Sequence, residues 1–174
     1  NLNVKFINSI TNKQVNENNV FSRIIEMPNK FSYDYLDNKI TLEKVKKIFG
    51  EDKITKKNNV IIIDEGNYYL NEDIIFPSNY KVVLKPGINI KLAPFTSMLI
   101  YGDFEARGTL KKPITITKWL DKNFSSVVVI GNGKTNVDIN YLHISQGSED
   151  FINGIYASGM LALHNHNEIK IANS

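Results

Sequence analysis

Four copies of an apolar–x–apolar triplet recur along the second half of this chain: Ile88-Asn89-Ile90, Ile114-Thr115-Ile116, Leu142-His143-Ile144 and Ile169-Lys170-Ile171. Their last residues are 26, 28 and 27 positions apart, and Ile61-Ile62-Ile63 stands about one step further upstream. Each triplet alternates, as a strand with one buried face does. Between them lie further short β-branched runs, Val82 to Leu84, Met98 to Ile100, Val127 to Ile130 and Ile155 to Ala157, bounded by Gly, Pro or Asn. Short strands recurring every 20–30 residues predict stacked coils. No helical pattern separates them, which disfavours a doubly wound α/β sheet. A β-sandwich is the competing reading, but sandwich strands are usually longer and do not repeat one triplet at one spacing.

Stacked coils also account for an unusual composition, 24 Ile and 23 Asn among 174 residues. In a parallel β-helix like residues sit above like, about 4.8 Å apart. Ile then stacks inside. Asn suits the turns, because it tolerates left-handed backbone, and its amides can form ladders between coils.

The first 57 residues have a different texture. They carry 11 basic and 7 acidic residues (net +4), whereas residues 58–174 carry 10 and 11 (net −1). A helix is predicted over Thr41–Phe49. Thr41 is its expected N-cap, Glu43 lies in the first turn, Lys46 and Lys47 lie in the last, and Gly50 follows. Leu42, Val45, Ile48 and Phe49 form its apolar stripe. Short extended segments are expected in residues 1–40. The predicted organisation is a small α/β N-terminal cap, 1–57, which covers the unpaired strand edge of the first coil, followed by a β-helix over 58–174. No such cover follows Ile169-Lys170-Ile171. The β-helix is therefore expected to be truncated at that end, with its last coil continued in the native protein or covered by another chain.

Several function classes are disfavoured. With no cysteine there is no disulfide scaffold and no thiolate chemistry. Nineteen of the 21 basic residues are Lys, not the Arg expected for bidentate phosphate recognition, so nucleic acid is not an expected partner. No apolar run reaches the ~18 residues of a membrane span. No signal peptide is visible and the chain does not begin with Met, so a trimmed piece of a longer protein is expected. Gly131-Asn132-Gly133-Lys134-Thr135 ends like a phosphate loop, but the required earlier Gly would fall at Val128. His164-Asn165-His166 has zinc-compatible spacing without a third ligand and reads as a turn. Asp64-Glu65, Glu72-Asp73 and Glu149-Asp150 read as turn residues, and no full calcium loop is legible. No metal and no cofactor are expected.

Residues 80–117 carry a recognisable text: Tyr80-Lys81-Val82-Val83-Leu84-Lys85-Pro86-Gly87-Ile88, then Gly102-Asp103-Phe104-Glu105-Ala106-Arg107-Gly108-Thr109, then Lys112-Pro113-Ile114-Thr115-Ile116-Thr117. It resembles the opening coils of bacterial right-handed parallel β-helix proteins, whose pattern runs loosely apolar-x-apolar-x-Pro-Gly-Thr, then Gly-x-Leu-x-Ala-x-Gly-Thr, then Pro-Ile-x-Phe-Thr. Ile88, Phe104 and Ile116 depart from that pattern. The stretch Ala157 to His164 and on to Ile169-Lys170-Ile171 is similar to a later coil, and to β-helix segments that accompany CotH-like kinase domains, although no kinase motif is present. The resemblance implies a mainly β, right-handed parallel β-helix of about four to five coils, of bacterial origin and extracellular or at the cell surface.

The candidate site residues lie on one predicted strand. Alternation puts Ile100, Gly102, Phe104 and Ala106 inside, where small residues relieve crowding beside Phe104. Leu99, Tyr101, Asp103, Glu105 and Arg107 then face outward. Gly108 is expected at a corner with positive φ. Asp103 and Glu105 stand ~6–7 Å apart on such a strand, within the range of two-carboxylate glycosidase chemistry, and are the catalytic candidates. Tyr101, Asp103, Glu105 and Arg107 are the ligand-binding candidates. Trp119, Phe124 and Tyr156 are further candidates for stacking on carbohydrate if exposed. Outward charges also keep a sheet face soluble, which weighs against catalysis. The leading expectation is a non-catalytic secreted or cell-surface module that binds polysaccharide or protein. The alternatives are a polysaccharide lyase or glycoside hydrolase, and an assembly element of a coat or fibre.

Overall fold

The computed structural model describes residues 38–78 and 80–174. The chain divides into two compact units, 1–32 and 33–174. The described residues all belong to the second unit, and the extended segments expected before residue 38 lie outside them.

The helix α1 runs Asn38–Phe49, so it begins three residues before the expected cap and Thr41 lies within it. Leu42, Val45 and Phe49 are buried, Ile48 is partly so, and the last turn carries Lys46 and Lys47. Gly50 stops the helix with φ 93° and donates its N–H to Lys46 O. A single 3₁₀ turn, Glu51–Lys53, leads into β1 (Ile54–Lys57), which pairs antiparallel with β2 (Val60–Ile63).

The remaining strands are short. They are β3 (Gly66–Leu70), β4 (Ile74–Ile75), β5 (Lys81–Leu84), β6 (Ile88–Leu92), β7 (Met98–Tyr101) and β8 (Phe104–Arg107). After these come β9 (Ile114–Lys118), β10 (Val127–Ile130), β11 (Asn136–Asn140), β12 (Leu142–Ile144), β13 (Asp150–Ile152), β14 (Ile155–Ala157), β15 (Leu161–His164) and β16 (Glu168–Ala172). The unit is mainly β. One sheet has the order β1-β2-β5-β8-β11-β16, a second β3-β6-β9-β12 and a third β4-β7-β10-β15, while β13 and β14 form a separate antiparallel hairpin. Apart from β1–β2 and that hairpin, every pairing is parallel.

Apolar side chains stack in rows across these sheets. Ile61, Val82, Phe104 and Val137 are in register in the first, Tyr68, Ile90 and Ile116 in the second, and Ile74, Met98 and Val127 in the third. All belong to one buried cluster, to which Phe49 of α1 adds an edge-on contact with Tyr68 at 5.0 Å. Each fully buried Ile or Phe contributes roughly 1.5–3 kcal/mol of transfer free energy, so the rows supply most of the driving force. The third sheet is buried on both faces at β7 and β10. Leu99, Tyr101, Val128 and Ile130 on its other face pack with Ile152 and Ala157 of the hairpin.

Register corrects the expected repeat. Ile90, Ile116 and Ile144 do stack in the second sheet, but Ile169-Lys170-Ile171 stacks on Val137 and Ile139 in the first. Ile61-Ile62-Ile63 also belongs to the first sheet. Equivalent positions there, Ile61, Val82, Phe104, Val137 and Ile169, are 21, 22, 33 and 32 residues apart. The spacing is not constant, because corners differ in length and the hairpin is inserted between β12 and β15. The expected Asn ladders form: Asn89 donates to Asn67 (3.0 Å), Asn167 to Asn136 (3.2 Å) and Asn173 to Asn140 (2.9 Å).

Candidate functional site

The predicted strand through residues 98–107 is two strands. Gly102 (φ 119°) turns the chain out of the third sheet and into the first, so Tyr101 ends β7 while Glu105 and Arg107 lie on β8. Gly102 is therefore needed for its backbone angle. Gly108, expected at positive φ, is needed for space: a Cβ there would stand 2.7 Å from Tyr141 O and 2.9 Å from Ile114 N.

This corner separates the predicted ligand residues. Tyr101 is buried rather than outward, 3% exposed among Leu99, Ile130 and the hairpin, and its Oη accepts a hydrogen bond from Asn153 Nδ2 at 2.6 Å. Asp103 sits in the corner and its Oδ1 accepts the backbone N–H of Asn136 at 2.7 Å. Glu105 Oε2 is 2.5 Å from Lys81 Nζ. Arg107 donates to Asp138 on the neighbouring strand. That bond, helped by the pair's opposite charges and opposed by burial, holds the Asp138 carboxyl below the usual aspartate range and raises the Arg107 guanidinium. Across β5, β8 and β11 the outward face of the first sheet is thus a lattice of neutralised pairs.

A cleft of about 340 Å³ opens at this corner, walled by Tyr80, Lys81, Tyr101, Asp103, Asn132 and Thr135 among others. Several of its polar groups hold neighbouring backbone or side chains. Besides Asp103 and Lys81, Asn132 Oδ1 accepts the Lys134 N–H, and Thr135 Oγ1 bonds His166 Nδ1 at 3.0 Å. Gly131–Thr135 is this corner loop, while His164 ends β15 and Asn165, at φ 56°, turns the chain toward His166. The carboxylate pairs are likewise engaged: Asp64 and Glu65 with Lys85 and Lys112, Glu72 with Lys44, Asp73 with the Ser97 N–H, Glu149 with Tyr156 and Asp150 with Ser97. Among the described residues no group of three or more His, Asp or Glu is arranged to hold a metal ion. No helix among them is long and apolar enough to cross a membrane.

The outward face of the second sheet is different. Asn67, Asn89 and Thr115 form one row, in which Asn89 donates to Asn67 and Thr115 Oγ1 donates to Asn89 Oδ1 at 2.8 Å. Thr117 donates to Gln146, and Ser145 Oγ donates to Thr117, extending a second polar row. Each amide carries two N–H groups and two acceptor lone pairs, so these ladders leave capacity for a ligand. Beside them Tyr69 of β3 and Trp119, just past β9, meet across the intervening strand, ring centroids 5.3 Å apart and planes at 56°. They remain 50% and 42% exposed. Lys91 lies over the Tyr69 ring, 5.7 Å from its centroid.

Of the three aromatics considered for stacking, Trp119 is on this platform, Phe124 is fully buried, and Tyr156 is exposed on the hairpin, its hydroxyl pKa raised chiefly by donating to Glu149. Tyr69 is not among them. Its signal is the alternation Asn67-Tyr68-Tyr69-Leu70, which sets Tyr69 opposite the buried Tyr68 and Leu70. No family model, no curated protein and no solved structure matches this chain.

Proposed function

We propose that the three sheets are the faces of a right-handed parallel β-helix that serves as a non-catalytic, secreted or cell-surface module binding polysaccharide on the outward face of the second sheet. The coil reading is supported by strand order: the chain visits the sheets in rotation, and parallel neighbours are joined by crossovers, which are right-handed in nearly all cases. The binding reading rests on one observation, the half-exposed Tyr69–Trp119 pair beside the Asn67–Asn89–Thr115 row of amides and a hydroxyl. Aromatic faces take the C–H faces of sugar rings, while amides and hydroxyls exchange hydrogen bonds with sugar hydroxyls. A catalytic role for Asp103 and Glu105 is disfavoured, since one holds a backbone N–H and the other a lysine.

Binding to a glycan array, followed by titration of the best ligand, tests this reading. Trp119→Ala and Tyr69→Ala should each weaken binding by tenfold or more. Asp103→Asn should leave it unchanged, and no reducing ends should be released. An array without a binder removes the proposal, and release of reducing ends lost in Asp103→Asn would replace it with the hydrolase or lyase reading.

A second reading, an assembly element, is favoured by β16. Ile169 and Ile171 continue the inward rows of Val137 and Ile139 yet are 45% and 54% exposed. In that reading a strand from another chain pairs with β16. Concentration-dependent light scattering, abolished by Ile169→Asp, tests it.

A further inference from the structure

The corner that carries Trp119 also carries a residue that neither packing nor backbone preference explains. Thr96 N–H bonds Ala93 O at 3.2 Å, closing a four-residue turn with Pro94 and Phe95 at its centre. Phe95 has φ 61°. A turn with Pro at the second position and positive φ at the third asks for Gly, or Asn, there. Left-handed backbone is disfavoured for any residue with a Cβ and is most unusual for a bulky one. Burial does not hold the ring in place, because Phe95 is 74% exposed. Among the described residues, four of the other six non-glycine residues with positive φ are Asn, at Asn58, Asn153, Asn165 and Asn173. The chain therefore uses the expected residue at most such turns and a large exposed aromatic at this one.

The turn is fixed to the platform. Trp119 N–H bonds Leu92 O at 2.7 Å, Phe95 N–H bonds Asn123 O at 3.4 Å and Ser125 N–H bonds Thr96 O at 3.0 Å, so 92–96 and 119–125 are stacked corners of adjacent coils. Charge here also differs from the β5, β8 and β11 part of the first sheet, although Lys56 on β1 likewise has no carboxylate partner among the described residues and lies over the Tyr80 ring at 5.1 Å. On the first sheet and its corner, Lys81, Lys85, Arg107 and Lys112 each have a carboxylate partner. Lys91 and Lys122 have none among the described residues. Each instead lies 5.7 Å from an aromatic centroid, Lys91 over Tyr69 and Lys122 over Phe95. Lys118 Nζ, between them in the chain, meets only the Asp121 carbonyl among the described residues.

We infer that Phe95 is a ligand-contacting residue that extends the Tyr69–Trp119 platform around the corner, and that Lys91 and Lys122 make the ligand of this surface an anionic polysaccharide. This rests on the polysaccharide reading above and adds the charge class and a third aromatic. A chain of acidic sugars would lay its rings on the three aromatics and its carboxylates or sulfates against ammonium groups that no protein carboxylate neutralises. Such contacts weaken with added salt, because Lys122 is exposed and Lys91 is only partly buried.

The test titrates the full chain with alginate (carboxylate), dextran sulfate (sulfate) and hydroxyethyl cellulose (neutral), at low and physiological salt. At least one anionic polymer should bind tenfold or more tightly than the neutral one, less so as salt rises. Whichever binds identifies the anion. Lys91→Gln with Lys122→Gln should remove that tenfold preference, whereas Lys57→Gln with Lys134→Gln, on other elements, should not. Phe95→Gly should weaken binding at least fivefold while the melting temperature holds or rises by about 2–4 °C. Equal, salt-insensitive binding of neutral and anionic polymers overturns the charge inference and leaves the polysaccharide reading standing. An equal loss from the Lys57 and Lys134 changes assigns the effect to bulk charge and overturns the site. Unchanged affinity in Phe95→Gly, or a lowered melting temperature, overturns the role of Phe95. Failure to bind any of the three, together with an empty glycan array, overturns the underlying reading itself.

Discussion

At the scale of single residues, space and charge make separate demands. Gly108 has backbone atoms on either side at distances a Cβ cannot tolerate, so Gly108→Ala should cost about 1–3 kcal/mol, read as a lowered melting temperature. A variant that melts with wild type would mean the corner relaxes freely. Arg107 and Asp138 make a charge prediction. The Asp138 carboxyl is held below its ordinary value by the Arg107 hydrogen bond first and by the Arg107, Lys170 and Lys81 charges after it, with burial opposing them. A carboxyl whose folded pKa is below the unfolded one contributes its full stability above the unfolded value and loses it as pH falls through the folded value. Melting temperature should therefore fall in acid more steeply in wild type than in Asp138→Asn, with the two curves parallel near neutral pH. Because the pair is on the surface, raised salt should shrink the difference. Identical acid limbs would show that the pair contributes nothing measurable.

At the scale of elements, α1 and β1 cover a strand edge that would otherwise be open. β1 occupies the outer edge of β2 in full register from Ile54–Ile63 to Lys57–Val60, and Phe49 packs against Tyr68 and, at 6.0 Å, Phe76. A 58–174 fragment should associate as concentration rises, since the freed edge and the uncovered Ile61 and Ile63 can pair with another chain. A soluble, monomeric fragment would contradict this. Strand alternation is readable at β6, β9 and β12, because their inward residues are Ile or Leu and their outward ones polar. The same pattern misassigns Ile169-Lys170-Ile171, because inward rows of different sheets look alike in one dimension and only hydrogen-bonded register tells them apart. The break at Gly102 is equally hidden. Alternation of apolar residues continues from Ile100 to Phe104, although the chain changes sheets between them. Alternation therefore puts Tyr101 on an outward face with Glu105, whereas the hairpin Asp150–Ala157, 49 or more residues away in sequence, buries it.

At the scale of the 33–174 unit, the rows of apolar residues have a middle and two ends. Phe104 and Ile90 have neighbours on both sides, whereas β16 has β11 alone and is exposed along its length. Amide exchange should follow that order, fastest in β16 and slowest in β7, β8 and β10. Uniform protection would mean that the end strand is covered in solution. The mainly β class, the α1 stripe, the alternation of most strands and the use of Asn at left-handed turns and in ladders are legible in the order of residues. These depend on local backbone preference and on a period of two, which are properties of neighbouring residues. Which strands share a sheet, the burial of Tyr101, the engagement of Asp103, Glu105 and Arg107, and the meeting of Tyr69 with Trp119 emerge from the folded arrangement. Those outcomes depend on contacts and register between segments 22 to 52 residues apart, and no local pattern encodes which partner a strand edge will find.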